Sequence, residues 1–383
     1  MIHRLTIRNF KSLEEVSVEL APITVLIGES GTGKTNFVTA LRYLRDYLYF
    51  GEPRHPEFRD WRPLLPATKP ACEMSFEVEF DVKGIEESFT YCVTLLEGGS
   101  GNWPIINESL RLGDRVYFEQ AQGEWRVEPQ PAPALRRNLP AIGCLPAIPE
   151  VVIAYTALTA GIGCYQFPAT VLGAATKGNT PAEENGSEAL PGLRDDGANY
   201  LRVLKGILIN LQDLNTRKVI TSTLRHLNPS VSSIALDALR ETQAVVVAHR
   251  FGEETLPLPL AWESEGFRRF FAHLLALYQQ PSKQTLIFEE PENGIYPGAL
   301  ALLTDEFKAA AHIGRGQILL TTHSPGLLDQ FPEEAIRVVE LEGLQTRIGR
   351  VSPEQRAALE ERLLEPGELL TVDQARLETE MGA

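Results

Sequence analysis

Two hydrophobic rhythms divide this chain. Apolar and polar residues alternate with period two through residues 2–7, through 74–80 (Met-Ser-Phe-Glu-Val-Glu-Phe) and through 89–95, and residues 109–128 continue in that style. Such alternation predicts half-buried antiparallel strands. Residues 23–27 (Ile-Thr-Val-Leu-Ile) are instead a continuous apolar run, as in a strand covered on both faces. Beyond Ser264 the rhythm lengthens, predicting helix, strand, helix and strand over 267–279, 285–288, 298–311 and 317–321. That alternation argues for a mainly parallel sheet flanked by helices. Helical spacing of Leu, Val and Ile recurs over 199–211, and Ser352-Pro353-Glu354-Gln355 opens a short C-terminal helix with a cap, a first-turn proline and a capping-box partner.

Breaks in pattern give an expected organisation. Residues 51–71 are rich in Pro and Arg, 129–149 are dense in proline, and 174–192 are small, polar and Gly-rich, which predicts loops or connectors. The expected domains are an N-terminal lobe over 1–135, a connector and helical insertion over 136–235, a C-terminal lobe over 236–350 and a helical tail over 351–383. Among 383 residues, 43% are hydrophobic and 23% charged, an ordinary globular balance. No apolar run approaches a membrane span and no signal-peptide pattern opens the chain, so a cytoplasmic protein without a membrane partner is expected. Cys72, Cys92, Cys144 and Cys164 form no metal-binding or disulfide pattern. The net charge of −15 places any nucleic-acid contact on a local patch, because phosphate neutralisation needs clustered Lys and Arg.

The apolar run at 23–27 ends in Gly28-Glu29-Ser30-Gly31-Thr32-Gly33-Lys34-Thr35, followed by Asn36 and a helix. All fixed positions of a phosphate-binding loop are filled, in the strand–loop–helix context it requires. Glycines allow the backbone path that turns N–H groups toward phosphates, Lys34 is expected to reach the β- and γ-phosphates, and the Thr35 hydroxyl to ligate Mg²⁺. The strand at 285–288 ends in Glu289 and Glu290: the first is placed to hold the Mg²⁺ water shell, the second to polarise the attacking water. His323, in Thr321-Thr322-His323-Ser324-Pro325, follows another apolar strand and is expected at the γ-phosphate. Ser264-Glu265-Gly266 at a helix start forms an anion site able to face a γ-phosphate presented by another subunit.

Taken together, these motifs resemble ATP-binding cassette ATPases of the SMC/RecF/OLD-like branch, often described as AAA-type ATPases. The resemblance rests on Asn9-Phe10-Lys11-Ser12, Gly28 to Asn36, Asp196-Gly197-Ala198-Asn199-Tyr200, Ser264 to Arg269, Glu289 to Pro297 and Thr321 to Pro325, and runs over residues 1–345. It implies an α/β P-loop NTPase fold: an ABC-ATPase head with a mixed central sheet, an antiparallel β subdomain and a helical insertion. It implies ATP and Mg²⁺ as ligands, ATP hydrolysis as the activity, and Lys11 near the phosphates. It also implies a homodimer formed on ATP binding, with Ser264, Gly266 and Arg269 serving the nucleotide of the other copy. The chain departs from the family's pattern at Ser30 for Asn, Thr32 for Ser, Glu289 for Asp, Tyr296 for His and Glu263 for the Leu before the signature Ser. No Q-loop glutamine is identified, and neither a Toprim nuclease domain nor coiled-coil heptads are expected.

Two functions compete at this stage. One is an ATP-hydrolysing switch acting on DNA or with a nuclease, in repair or phage defence. The alternative is a regulatory or scaffold ATPase whose nucleotide-dependent dimerisation controls a partner protein without contacting DNA. The candidate DNA patch is Arg42, Arg45, Arg54, Arg59 and Arg62, interleaved with Tyr43, Tyr47, Phe58 and Trp61. Its acids (Asp46, Glu52, Glu57, Asp60) nearly cancel it, and an amphipathic helix turning its aromatics into the core is the favoured reading. The acidic segment 354–380 reads as a solvated or partner-facing surface.

Overall fold

The structure is a computed structural model that describes residues 1–52, 58, 64–66, 73–98, 103–121, 124–128, 139–173, 190–209, 214–237 and 244–378. Most of the 51–71 and 174–192 segments, the first part of the 129–149 connector, Cys72, and Arg54, Arg59, Trp61 and Arg62 lie outside the described residues. The chain divides into two compact units. One comprises Met1–Ile162 with Leu319–Ala383, the other Gly163–Ile318.

In the first unit, β1 (Ile2–Phe10), β2 (Leu13–Glu19), β4 (Glu73–Phe80), β5 (Phe89–Leu96), β6 (Ile105–Leu112), β7 (Arg115–Ala121) and β8 (Glu124–Val127) form an antiparallel sheet in the order β2-β1-β4-β5-β6-β7-β8. Burial alternates residue by residue along β4 and β5, as the sequence rhythm requires. On this sheet lies α1 (Lys34–Phe50), whose Tyr43 ring sits 5.5 Å from Phe10 and 6.0 Å from Phe76. Each such buried aromatic contributes roughly 1.5–3 kcal/mol, so the helix is held firmly. The favoured reading of this helix is met: Tyr43, Tyr47 and Phe58 are core residues. As a DNA patch its described cations fail, because Arg42 and Arg45 are buried and Arg45 pairs with Asp46 at 2.8 Å.

The mostly apolar strand β3 (Ile23–Ile27) pairs in parallel with β15 (Ile336–Glu342), which pairs antiparallel with β16 (Gln345–Gly349), so this sheet is mixed. Helix α2 (Pro149–Leu158) closes the connector. Just before it, the buried carboxylate of Glu108 accepts hydrogen bonds from Ala141 N, Ile142 N and the Tyr91 hydroxyl. Near the C-terminus come α7 (Pro325–Leu328) and α8 (Pro353–Glu360), the latter capped by Ser352 as its sequence indicates.

In the second unit, β9 (Ile162–Tyr165) neighbours β13 (Thr285–Glu289). Helices α3 (Tyr200–Ile209) and α4 (Leu214–Leu227) form the helical insertion, followed by an antiparallel sheet of β10 (Val231–Asp237), β11 (Ala244–Phe251) and β12 (Glu254–Pro259). Then come α5 (Glu265–Tyr278), β13, α6 (Pro297–His312) and the start of β14 (Gln317–Thr321). The Phe288 ring on β13 stands 4.9 Å from Phe307 on α6 and 5.4 Å from His273 on α5, which locks the carboxylate-bearing strand between two helices.

Candidate nucleotide site

Why the chain turns at Gly28 is visible in the register of β3 and β15. Ile27 pairs with Val338, and a Cβ at Gly28 (φ +150°) would collide with the carbonyl of Val339. Gly31 and Gly33 also have positive φ, and a Cβ on Gly33 would strike the Thr346 hydroxyl. These positions need glycine for backbone conformation and for close approach. Thr346 supports the loop from β16. Its hydroxyl donates to Thr32 O at 2.7 Å, Ser12 Oγ lies 2.7 Å from Thr346 Oγ1, and Asn36 Nδ2 donates to Ser12 Oγ at 2.7 Å. The Ser12 proton therefore goes to Thr346, and one directed chain of bonds runs from helix to turn to strand to loop.

Lys34 is 6% exposed, and its ammonium donates to Gly28 O at 2.8 Å and Glu29 O at 2.7 Å. An ammonium curled into its own loop, beside a Gly31 with open space around its missing Cβ, fits a polyphosphate ligand. Thr35 is exposed at the helix start and Ser30 on the loop rim. Lys11 occupies a left-handed turn (φ 51°), its N–H held by Leu64 O at 2.7 Å. His323 is exposed after β14, where Thr322 N donates to Leu26 O at 3.3 Å and Thr322 Oγ1 accepts from Ser324 N at 2.9 Å. It shares a cleft of about 840 Å³ with Gly28, Glu29, Thr32 and residues 369–376 of the tail.

The charge of that tail predicts a solvated or partner-facing surface, and part of it packs against the glycine loop of its own chain. Gln374 Nε2 donates to Glu29 Oε1 at 2.8 Å, Leu377 N to Glu340 Oε1 at 2.7 Å, and Gly367 N to Asp329 Oδ1 at 2.6 Å. Ser12 belongs to the Asn9–Ser12 motif, but its partner Thr346 carries no mark in the sequence. The alternation of Gln345–Gly349 could have found the strand, but nothing marks a threonine as a loop support.

The second unit gathers the remaining candidates. Glu289 is buried at the end of β13, and Glu290 follows in a left-handed conformation (φ 45°) that a non-glycine residue adopts at a cost. Asn293 secures it, donating from Nδ2 to Glu290 Oε2 at 2.7 Å and from its backbone N–H to Glu290 O at 3.0 Å. Both carboxylates line a cavity of about 250 Å³ with Arg269, His273 and Gln166. Burial pushes the His273 imidazole down to about 4, and its Nδ1 lies 2.7 Å from Arg269 O, so the ring is neutral and donates from Nδ1 at physiological pH. Gln166 stands one residue beyond β9, the neighbour of β13. It is a glutamine at the carboxylates that sequence reading did not locate, although the short apolar strand Ile-Gly-Cys-Tyr before it was a usable signal.

Ser264 caps α5, its Oγ accepting from Phe267 N at 3.2 Å. Gly266 has a steric reason of its own, since a Cβ there would come within 2.9 Å of Gly294 O. Arg269 Nε donates to Glu265 Oε1 at 2.9 Å. Expected to serve another copy, Arg269 lies in the cavity of its own chain's Glu289 and Glu290.

Two family models and a set of solved structures match parts or most of this chain. Residues 1–89 match the family described as AAA ATPase domain, and residues 186–329 match the family described as AAA domain, putative AbiEii toxin, Type IV TA system. The first match holds the glycine loop; the second holds Ser264, Glu289, Glu290 and His323. No curated protein matches the chain in sequence. Among solved structures, an Smc head bound to the C-terminal winged-helix domain of ScpA is similar at 15% identity and a TM-score of 0.56, over 92% of this chain and 99% of that one. The Smc head with an extended coiled coil bound to the C-terminal domain of ScpA, derived from Pyrococcus furiosus, is similar at 14% identity and a TM-score of 0.55, over 94% and 99%. At such identities the likeness shows the fold. The chain thus has the fold of SMC head domains, and its two matched segments resemble AAA-type domains.

Proposed function

We propose that this chain hydrolyses ATP and that ATP binding draws two copies together. The observation that carries the reading is the Glu289–Glu290 pair: a buried acid ending β13, then a strained carboxylate held by Asn293 and facing a cavity with Gln166. In this reading Lys34 and the N–H groups of residues 30–35 hold the β- and γ-phosphates. Thr35 would ligate Mg²⁺ and Glu289 would hold its water shell, and the metal would supply charge neutralisation on the phosphate oxygens. Glu290 accepts a proton from the attacking water while the bond to the γ-phosphorus forms and the bond to the ADP oxygen breaks. Gln166 positions that water, and His323 contacts the γ-phosphate. Ser264 and Gly266 complete the site of a second copy, because the N–H groups of a first helix turn, with the capping hydroxyl of Ser264 beside them, favour an anion.

The reading is tested with Glu290→Gln, which removes the proton acceptor while leaving the loop intact. Light scattering with ATP is expected to show a stable dimer and the turnover rate is expected to fall by about 10²–10⁴-fold. A variant that remains monomeric with ATP and turns over normally sinks the assignment.

The burial of Arg42 and Arg45 favours one client class over the other. With the described cations of the candidate DNA patch inside the core, and a net charge of −15, the dimer works on a partner protein. The similar Smc heads were solved with a bound ScpA domain, which supports a protein client on this fold. The toxin–antitoxin description of the matched family fits a role in phage defence, with a nuclease among the fitting partners.

A further inference from the structure

The residue before the helix cap at Ser264 is an acid, Glu263, where the family resemblance places Leu. The structure shows what the acid touches. Glu263 Oε1 lies 2.7 Å from His249 Nε2, and the two side chains are 10% and 4% exposed. The other ring nitrogen, His249 Nδ1, lies 2.7 Å from Ser230 Oγ, which donates to Asn228 Oδ1 at 2.8 Å. Ser230 is anchored in turn, its carbonyl accepting from Arg250 N at 2.7 Å and its N–H donating to Asn228 Oδ1 at 3.2 Å. A line of polar contacts therefore runs from the start of β10, through His249 on β11, to Glu263.

Ser–His–acid contacts suggest a nucleophile, but the chemistry here does not. The Ser230 proton goes to Asn228, the imidazole is almost fully enclosed, and the mutual orientation leaves both ring nitrogens occupied by neighbours. What the line can do is hold position. Glu263 ends the 3₁₀ turn Leu260–Trp262 in extended conformation (φ −65°, ψ 157°), and the next residue is the cap of α5. With its carboxylate tied to His249, Glu263 is anchored beside the cap, which favours one direction for the Ser264 hydroxyl and the first N–H groups of α5. A buried polar pair lends itself to this work, since a misplaced member would be left buried without its partner.

We propose that His249, backed by Ser230, is a positioning residue that acts through Glu263 to set the signature Ser264 for the nucleotide of a second copy. The three-stranded sheet β10–β12 is thereby coupled to the anion site at the start of α5. This rests on the dimeric ATPase reading given above.

The test compares Glu263→Gln, which keeps an acceptor at the same reach, with Glu263→Leu, which fills the space and cuts the contact. Steady-state hydrolysis, binding of a fluorescent ATP analogue, and light scattering in the Glu290→Gln background are measured for each. Glu263→Gln is expected to keep kcat within about threefold, and Glu263→Leu to lose about tenfold in kcat with KM and analogue affinity unchanged, because the glycine loop is untouched. The double variant with His249→Leu is expected to be no worse than Glu263→Leu alone, the mark of residues acting as one unit. Ser230→Ala, at a half-buried position, gives a second route should Glu263→Leu fold poorly: about a threefold fall in kcat at constant KM is expected. A wild-type kcat in either Glu263→Leu or Ser230→Ala overturns the proposal, as do equal losses in the Gln and Leu variants. Ser264→Ala separates this failure from that of the wider reading. If it too leaves turnover and dimer formation intact, the signature assignment falls and the positioning role with it; if it abolishes both while Glu263→Leu does not, only the positioning role is lost.

Discussion

Gly33 has room for no side chain, and its φ of +110° lies where L residues are strained. Gly33→Ala is expected to cost roughly 1–3 kcal/mol of stability and to abolish ATP-analogue binding, read by thermal melting and fluorescence titration. The sequence makes this glycine legible as part of an eight-residue motif, but not the reason for it, because Thr346 is 313 positions away in the chain and reaches the loop only through the pairing of β16. Glu108 shows the same limit for charge. Burial raises its carboxyl to about 7 against an ordinary 4.5, despite three hydrogen-bond donors that favour the charged form. A raised carboxyl pKa means the folded state binds the proton more tightly than the unfolded chain. Its contribution to stability is therefore full below about pH 4.5 and declines as pH rises through about 7. Glu108→Leu is expected to flatten that part of the stability–pH curve relative to the parent, measured by urea unfolding between pH 4 and 8; an unchanged slope rules the account out.

At the scale of elements, periodicity did most of the predictive work. Strands β3, β13 and β14 and helices α5 and α6 lie within one or two residues of their expected bounds, and α1 starts right after Gly33 as expected, since each carries a strong apolar face. Sequence reading passed over α2, α4 and the sheet β10–β12. The last of these has an edge strand, Glu254–Pro259, with little buried surface, so period-two contrast is weak there. The tail is the other surprise. Its charge predicts a solvated or partner-facing surface, whereas Leu369 is buried and three hydrogen bonds pin 367–377 to Asp329, Glu29 and Glu340. Leu369→Ala is expected to weaken this attachment by about 2–5 kcal/mol. Hydrogen exchange should then rise together over residues 366–377 while β4 and β5 keep their protection; scattered or absent change would refute a cooperative strap.

For the whole molecule, charge is the property that decides partners. A net charge of −15 repels polyanions at long range, and the two described arginines that could have offset it locally are inside the core. Double-stranded DNA is expected to leave the ATPase rate unchanged at low salt, where non-specific binding is strongest. A severalfold stimulation, lost as salt is raised, would restore the DNA-acting reading. Among the described residues no helix is long and apolar enough to cross a membrane, in line with the absence of long apolar runs in the sequence.

Local signals alone specified the glycine loop, the two carboxylates at a strand end, the histidine after the next strand and the α/β character of the chain. Those features are set by contiguous residues, where backbone conformation and side-chain spacing are encoded within a few positions. Only tertiary structure brought Thr346 and Ser12 under the loop, Gln374 onto Glu29, Gln166 beside Glu289, and His249 against Glu263. Those contacts close stretches of chain from 14 residues, between His249 and Glu263, to 345, between Glu29 and Gln374, and no local pattern records which polar group will satisfy a buried partner.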